Sequence, residues 1–390
     1  MSDLYYRYQT LCLCPRGGTL PPGAEPVAAP FAPPVYLVSR DPMTHRFLSP
    51  GADETLSGLL HAPQEPACYT LNTAFPRAFE RLARAAKPRS SDLRLTLVGL
   101  GDVGGQVLTA LKLLGGEIAS IGVYDPNTAL CERYVLELGQ VLGKARPEIF
   151  VQSPDRLFDC DLFLFTASRG VPPVGAAGDV RMAQLEKNRD MLRTYARLAR
   201  QADFAGLFCQ ISDPVDQLCR CVYLQSNRNE AGEYDFRGLL PEQIMGFGLG
   251  VMKARADFMA RRAGLHLPSL QVYGPHGADL LVADDPACPD EAVSRDLTAQ
   301  TVRANLAVRA LGFKPYIAPA LSSACLSILA LLRGEPFYAA LPVQGVYFGA
   351  EACYTALCPG YVARTLDPGL EAKLADLRSR LWEAEAQCRA

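Results

Sequence analysis

A unit of strand, glycine loop, helix and strand constrains the fold of this sequence more than any other feature. Two apolar runs, Leu93–Val98 and Ile118–Tyr124, flank the glycine-rich loop 99–104 and a helical stretch over 106–114. This order predicts a βαβ unit, in which a crossover helix joins two parallel strands. Because crossover helices cover the faces of a parallel sheet, we expect an α/β fold with buried, strongly apolar strands.

The residues that follow extend this pattern. Apolar runs at 161–166 and 205–211 predict two more strands, and a helix over about 180–202 separates them, since its apolar residues recur at helical spacing. These elements predict a Rossmann-type doubly wound parallel sheet followed by an α+β region. In that region we expect helices near 244–263 and 321–332. A last amphipathic helix is expected to carry one apolar stripe, which consists of Leu370, Leu374, Leu377 and Leu381.

The glycine loop, Gly99-Leu100-Gly101-Asp102-Val103-Gly104, follows a strand directly and opens a helix. In such a loop the first glycine permits a tight turn, the second lets the backbone approach a pyrophosphate, and the third allows close helix–strand packing. Asp125 stands 21 residues after Gly104, where a carboxylate accepts hydrogen bonds from ribose hydroxyls and repels a 2′-phosphate. The pattern predicts NAD as the cofactor. The alternative is a plain turn that Asp125 caps.

Residues 1–91 differ in composition from the rest, because they hold 13 of the 30 prolines. They also contain the strand-like run 35–38 and a helical stretch over 74–86, so we predict a small folded region and not a linker. The chain is therefore divided into three parts, which are an extra N-terminal region (1–91), an NAD-binding Rossmann domain (92–240) and a substrate domain (241–390).

Later motifs resemble those of the lactate/malate dehydrogenase superfamily, in register from about Leu93 to the final helix. Thr166-Ala167-Ser168 is similar to the strand end before the family's mobile active-site loop. Arg181 and Asn188 resemble the family's Gly-x-x-Arg…Asn motif, and Ser212-Asp213-Pro214-Val215-Asp216 resembles its Ser-Asn-Pro-Val-Asp. The NAD site implied by the resemblance consists of Gly99, Gly101, Asp102, Val103, Gly104, Asp125, Thr166, Ala167, Ser168, Asn188 and Ser212.

The same resemblance implies which residues act on the substrate. The sequence 244–248 is similar to the family's Ile-Gly-x-Gly, and Arg255 on the next helix matches the arginine that grips the substrate carboxylate. Tyr273-Gly274-Pro275-His276-Gly277 matches Gly-Glu-His-Gly, which makes His276 the catalytic acid/base. Arg181 matches the loop arginine that polarises the substrate carbonyl. Taken singly, each of these residues has a simpler interpretation, as a loop histidine or an exposed helix charge.

Three departures from the family pattern are visible. The aspartate that orients the catalytic histidine maps to Met252, and Asp279 and Asp257 are the candidate replacements. The asparagine that hydrogen-bonds the substrate carbonyl maps to Asp213, and a threonine of the family maps near Pro315. An anion at position 213 opposes a developing alkoxide but favours a cation. This motivates the hypothesis that Asp213 takes part in catalysis by pairing with a substrate nitrogen.

The resemblance implies an NAD-dependent oxidoreductase that transfers a hydride between NAD(H) and a small 2-oxo or 2-hydroxy carboxylate. Two alternatives stay open, which are an opine-like imino-acid reductase that uses Asp213 and a non-catalytic NAD-binding protein. The NAD-requiring glycosidases share the fold, but by resemblance they need a Cys/His metal site, and no cysteine stands close to His276 in sequence.

Composition limits the partners. The net charge is −2 and no Lys/Arg-rich run occurs, so nucleic acid is not an expected partner. No apolar stretch reaches 18 residues and the N-terminus lacks signal-peptide character, so we expect a cytoplasmic protein with no membrane association. The 13 cysteines, including the pairs Cys12/Cys14 and Cys219/Cys221, are expected to be reduced and to bind no metal. The resemblance implies a homodimer or homotetramer and a small carboxylate-bearing substrate.

Overall fold

The computed structural model describes residues 4–31, 33–63, 65–86, 92–142, 147–169 and 180–385, with side chains in the last range described from Leu185 onward. The N-terminal region forms a mixed sheet with strand order β3-β1-β2-β4-β6-β5. Its elements in chain order are β1 (Tyr5–Tyr8), β2 (Leu11–Pro15), β3 (Glu25–Val27), β4 (Val35–Ser39), β5 (Leu48–Pro50), α1 (Leu56–His61), β6 (Cys68–Asn72) and α2 (Ala78–Ala85).

The central sheet has the order β9-β8-β7-β10-β11-β12, and all of these pairs are parallel. The strands are β7 (Leu93–Val98), β8 (Ile118–Tyr124), β9 (Glu148–Val151), β10 (Leu162–Phe165), β11 (Leu207–Gln210) and β12 (Ile244–Gly246). The crossover helices are α3 (Asp102–Leu114), α4 (Thr128–Gly139), α5 (Val180–Gln201) and α6 (Val215–Ser226). This is the doubly wound order of a Rossmann sheet, and it confirms the predicted α/β fold class.

Burial explains why these segments became strands and helices. Every residue of β10 is buried, as a strand covered by helices on both faces requires. Side chains of α3 and α4 pack in one core and those of α5 and α6 in another, so the two helix pairs lie on opposite faces. The predicted strands Leu93–Val98 and Ile118–Tyr124 are confirmed at both ends.

The last part of the chain continues the same sheet. Beyond β12 the sheet is extended by antiparallel strands, so the predicted division at residues 240/241 falls inside one continuous sheet. The remaining elements are α7 (Leu249–Arg262), β13 (Gln271–Tyr273), β14 (Leu281–Ala283), α8 (Glu291–Ala310), a π-helix (Pro319–Cys325), α9 (Leu326–Arg333), β15 (Phe337–Val343), β16 (Val346–Tyr354), β17 (Pro359–Tyr361) and α10 (Pro368–Ala384). The predicted apolar stripe of α10 is confirmed, because its four leucines are buried.

Three predicted boundaries were wrong. The helix predicted over 244–263 begins only at Leu249, since its first residues form β12; a three-residue apolar run carries no periodicity that separates strand from helix. Helix α3 begins at Asp102 and not at 106, because the helix includes the last glycine of the loop. Helix α2 is shorter than the predicted stretch 74–86.

The N-terminal sheet packs directly on the central body. The buried carboxylate of Glu242 accepts hydrogen bonds from the backbone N–H groups of Phe47 (3.1 Å) and Leu48 (2.8 Å). Arg46 donates to the Pro359 carbonyl at β17, and the Tyr223 hydroxyl on α6 donates to Pro42. Side chains of the N-terminal sheet also share a hydrophobic core with α5 and α6. This region is therefore an integral layer of the molecule. Among the described residues, no helix is both long enough and apolar enough to cross a membrane.

Candidate active site

The glycine loop lies between the end of β7 and the start of α3. Gly99 has φ +95°, and a Cβ there would approach the Ala167 backbone nitrogen to 2.5 Å. A Cβ on Gly104 would lie 1.8 Å from the Gly99 carbonyl oxygen, so only glycine permits this approach of helix to strand. A Cβ on Gly101 would meet no described atom within 4 Å, which leaves the backbone at the α3 N-terminus open to a ligand.

Several residues that the sequence assigns to the NAD site form hydrogen bonds with neighbouring loops. The Thr166 hydroxyl donates to the Gly99 carbonyl (2.6 Å), and the Ser212 hydroxyl donates to the Ala167 carbonyl (2.6 Å). Asn188 is fully buried on α5. Its amide accepts from Arg169 N–H (2.8 Å) and donates to Ser168 Oγ (3.2 Å) and the Asp213 carbonyl (2.8 Å). Asn188 therefore holds the ends of β10 and β11 together, and its predicted contact with the cofactor stays a prediction.

Two acidic residues stand at the glycine loop. The Asp125 carboxylate accepts hydrogen bonds from Leu100 N–H and Asn127 N–H, both at 2.9 Å, so it fixes the loop to the end of β8. This is the capping role that the sequence left open beside ribose binding. The exposed carboxylate of Asp102, at the start of α3, pairs with Lys314 Nζ at 2.9 Å. Val103 is half-buried and packs against the core. Sequence reasoning did not find Lys314, which lies 212 residues away.

His276 is placed at the carboxyl end of the sheet and faces a carboxylate from another element. Its Nδ1 atom lies 3.0 Å from Oδ1 of Asp213, with side-chain exposures of 9% and 35%. The His276 backbone N–H donates to Asp216 on α6 at 2.9 Å. A carboxylate at this distance fixes the ring orientation and stabilises the positive charge of a protonated imidazole.

A glycine makes room for the histidine ring. A Cβ on Gly248 would lie 2.6 Å from the His276 Cβ and 2.9 Å from its Nδ1. The Gly248 carbonyl accepts from the Ser323 hydroxyl (2.5 Å), and that hydroxyl accepts from Val251 N–H (2.9 Å), so the π-helix clamps the start of α7. The sequence pointed to Gly248 only as part of a motif, and gave no signal for Ser323.

The prediction that Asp257 or Asp279 replaces the missing partner of His276 is wrong. Asp257 pairs with Lys253 on its own helix at 2.7 Å, and Asp279 pairs with Arg380 at 3.2 Å. The motif residue Asp213 takes that place, because the end of β11 brings it to the ring.

Comparison with known proteins identifies the fold and its relatives. No family model matches the sequence. An L-lactate dehydrogenase of Mesomycoplasma hyopneumoniae is 25% identical over 196 residues, which are 49% of this chain and 57% of that protein. L-lactate dehydrogenase 1 of Bacillus cereus is 26% identical over 190 residues, which are 47% of this chain and 55% of that protein. The chain thus spans little more than half the length of these curated relatives.

Solved structures match over a longer part of the chain. A lactate dehydrogenase from a Medee basin deep-sea metagenome library superposes with a TM-score of 0.62 at 15% identity, over 77% of this chain and 99% of that one. The malate dehydrogenase of Archaeoglobus fulgidus in complex with NADH superposes with a TM-score of 0.62 at 18% identity, over 76% of this chain and 100% of that one. At this identity the superposition shows a shared fold.

Over about half of its length the chain is similar in sequence to L-lactate dehydrogenases, and it shares the fold of the lactate/malate dehydrogenase superfamily. Against the pattern of this superfamily, position 252 is changed in character. Met252 is fully buried in an apolar cluster of α7, and its Sδ lies 3.5 Å from Nη1 of Arg255. Helix α7 therefore presents a thioether where the superfamily resemblance leads one to expect a carboxylate.

The two arginines differ in what the structure describes. Arg255 is half-buried on α7, about two helical turns after Gly248. Arg181 is the second residue of α5, and its side chain lies outside the described residues, as does the loop 170–179 before it. Pro315, where a superfamily threonine maps, lies in the connection between α8 and the π-helix.

Proposed function

We propose that this protein is an NAD-dependent dehydrogenase that interconverts a small 2-oxo carboxylate and the corresponding 2-hydroxy carboxylate, with His276 as acid/base. The observation that carries the proposal is the 3.0 Å contact between His276 Nδ1 and Asp213 Oδ1. It supplies the histidine with a carboxylate partner although the superfamily's usual position holds Met252.

The residues around the glycine loop fit a dinucleotide. The open side of Gly101 and the N-terminus of α3 suit a pyrophosphate, since helix N-termini bind anions through free N–H groups. Asp125 stands at the end of β8, where it favours ribose hydroxyls over a 2′-phosphate. Bound NAD(H) supplies or accepts the hydride.

The protein's own groups handle the proton. A carboxylate accepts but does not donate hydrogen bonds, so Asp213 requires the proton on Nδ1 and leaves Nε2 for the substrate oxygen. In the reductive direction, protonated Nε2 gives its proton to the developing alkoxide. In the oxidative direction, neutral Nε2 removes the hydroxyl proton.

The arginines are assigned to the charges of the substrate. Arg255 is proposed to hold the substrate carboxylate, because a guanidinium forms two parallel hydrogen bonds with that group. Arg181 is proposed to stabilise the charge that develops on the substrate oxygen, as the superfamily resemblance implies.

The alternative role of Asp213 was to pair with a substrate nitrogen, because an anion at this position needs a cationic partner. The contact with His276 weakens that reason, since the ring can supply the positive charge. The argument for a non-catalytic protein weakens for the same reason, since the histidine retains an acidic partner. Oligomeric state and cellular location remain predictions from the sequence.

The test is NADH oxidation with a panel of 2-oxo acids, each with and without added amine. We expect at least one 2-oxo acid to react alone, and His276→Asn to lower kcat/KM by about 10²- to 10⁴-fold with unchanged NADH binding. His266→Asn, an exposed histidine after α7, is the matched control and should retain activity. Turnover only with an amine would favour the imino-acid reductase. NADH binding without turnover of any panel member would favour a binding protein.

A further inference from the structure

The N-terminal sheet contains a cavity of about 360 Å³ that is separate from the glycine loop and His276. Its lining consists of Arg16, Leu37, Ser39, Ala52, Glu54 and Thr70. A volume of this size accommodates a small organic ligand. Neither the superfamily resemblance nor the proposed reaction uses these residues, because they belong to the region that precedes β7.

The strand pattern explains which side chains line the cavity. Successive side chains of a strand point to opposite faces, and Tyr36 and Val38 of β4 are buried in the core shared with the central body. Leu37 and Ser39 therefore point to the other face. Thr70 on β6 is the register partner of Leu37, so these residues form one wall of the cavity.

In the part of the chain that the structure describes, the cavity lining contains one polar atom without a hydrogen-bond partner and one carboxyl group. Ser39 Oγ is shielded from solvent and has no hydrogen-bond partner among the described residues. The carboxylate of Glu54 accepts from the Ser49 hydroxyl at 2.8 Å, and burial raises its pKa although His45 and Arg46 lie near enough to oppose that shift. The Ser39 hydroxyl and the half-buried Glu54 carboxyl group both gain stability from a ligand that supplies hydrogen bonds and positive charge.

The positive charge of Arg16 also lines this cavity. Arg16 is exposed just after β2, and its backbone N–H donates to the Val38 carbonyl at 2.7 Å, which fixes the chain at the end of β4. A guanidinium binds a carboxylate through two parallel hydrogen bonds. Leu37 adds an apolar surface between the polar groups.

We propose that this cavity is a binding site for a free α-amino acid, with the ligand's ammonium group against Glu54 and its carboxylate against Arg16. Ser39 and Thr70 contact the polar part of the ligand, and Leu37 contacts its side chain. The site is independent of the proposed dehydrogenase activity.

The proposal is tested by isothermal titration calorimetry of the full chain with the twenty standard amino acids, and with acetate and ethylamine as single-charge probes. We expect one or a few amino acids to saturate, and the single-charge probes to bind at least about tenfold more weakly. Glu54→Gln and Arg16→Met are each expected to weaken binding by about tenfold or more. Glu25→Gln and Arg40→Met change exposed residues of the N-terminal region outside the lining, and should bind like the wild type.

Two further variants keep the result unambiguous. Ala52→Trp fills the cavity from an exposed position and should abolish binding without unfolding the protein, even if Glu54→Gln is unstable. Arg255→Gln should leave amino-acid binding intact, because the proposed site lies elsewhere. The proposal is overturned if no amino acid binds, if Ala52→Trp binds normally, or if Arg255→Gln abolishes binding.

Discussion

At the scale of residues, two positions differ in character from the superfamily pattern. The helix position is apolar, since Met252 is fully buried, and the position after β11 is acidic, since Asp213 faces the His276 ring. The sequence alone revealed both departures. It could not show that the Asp213 carboxylate lies against His276, because a separation of 63 positions along the chain fixes no distance until the sheet is assembled.

Replacing Asp213 with asparagine removes the charge and retains the shape. An amide does not stabilise a protonated imidazole as a carboxylate does, so we expect kcat/KM for the best 2-oxo acid to fall about 10²-fold or more. NADH affinity should change by less than about threefold, because Asp213 contacts the ring and not the glycine loop. Steady-state kinetics and fluorescence titration of NADH measure the two quantities.

A double variant tests whether a carboxylate on α7 can replace that of Asp213. Adding Met252→Asp to Asp213→Asn returns a carboxylate to α7, and we expect about tenfold recovery of kcat/KM if the helix position still reaches the ring. The melting temperature must be followed, since an aspartate replaces a fully buried side chain. Asp279→Asn is the control, because that carboxylate pairs with Arg380. Unchanged kinetics of Asp213→Asn would contradict the relocated partner.

At the scale of elements, the site is assembled from strand ends. Long apolar strands and crossover helices were predictable, because both faces of β7 and β8 are covered and their side chains are correspondingly apolar. Strand β12 was not predictable from the sequence, because its three residues before a helix form too short a pattern. The sequence also did not show the contacts between strand ends. They depend on Asn188, whose buried amide joins two loops that are far apart in sequence.

Replacing Asn188 with alanine is expected to remove this joint. Loss of its hydrogen bonds leaves buried partners unsatisfied, which should lower the free energy of unfolding by about 1–3 kcal/mol. Because Ser168 and the Asp213 backbone are also released, we expect NADH affinity and kcat/KM to fall.

Asn72→Ala provides the matched control for that prediction. Asn72 is likewise a fully buried amide, and it donates to the Asp41 carbonyl and accepts from Ala74 N–H, but in the N-terminal sheet. Asn72→Ala should lower the free energy of unfolding in urea by a comparable amount and leave NADH affinity unchanged. Equal effects of both variants on NADH affinity would show that Asn188 acts only through global stability.

At the scale of the whole molecule, the N-terminal sheet packs as a layer on the central body. Composition predicted that residues 1–91 fold, but their docking depends on surface complementarity that no local pattern encodes. The contact centres on Glu242, a fully buried carboxylate that accepts from Phe47 and Leu48, with Arg46 close by. Burial raises the pKa of Glu242, and the charge of Arg46 and these N–H groups only partly offset that effect.

This buried carboxylate makes docking sensitive to pH. Because the pKa of Glu242 is higher in the folded protein than its ordinary value of 4.5, the folded state binds the proton more tightly than the unfolded chain. Its contribution to stability is therefore fully present below about pH 4.5 and is lost as the pH rises through the folded value. Glu242→Gln cannot titrate, so the free energy of unfolding of the wild type should fall relative to that of the variant as the pH rises from about 4.5 towards neutral. Urea unfolding of both proteins across this range measures the difference, and Glu25→Gln, which alters an exposed residue of β3, should track the wild type. A constant difference between wild type and Glu242→Gln at every pH would mean that Glu242 stays in one protonation state, and that hydrogen bonding alone, without proton uptake, holds the N-terminal sheet on the central body.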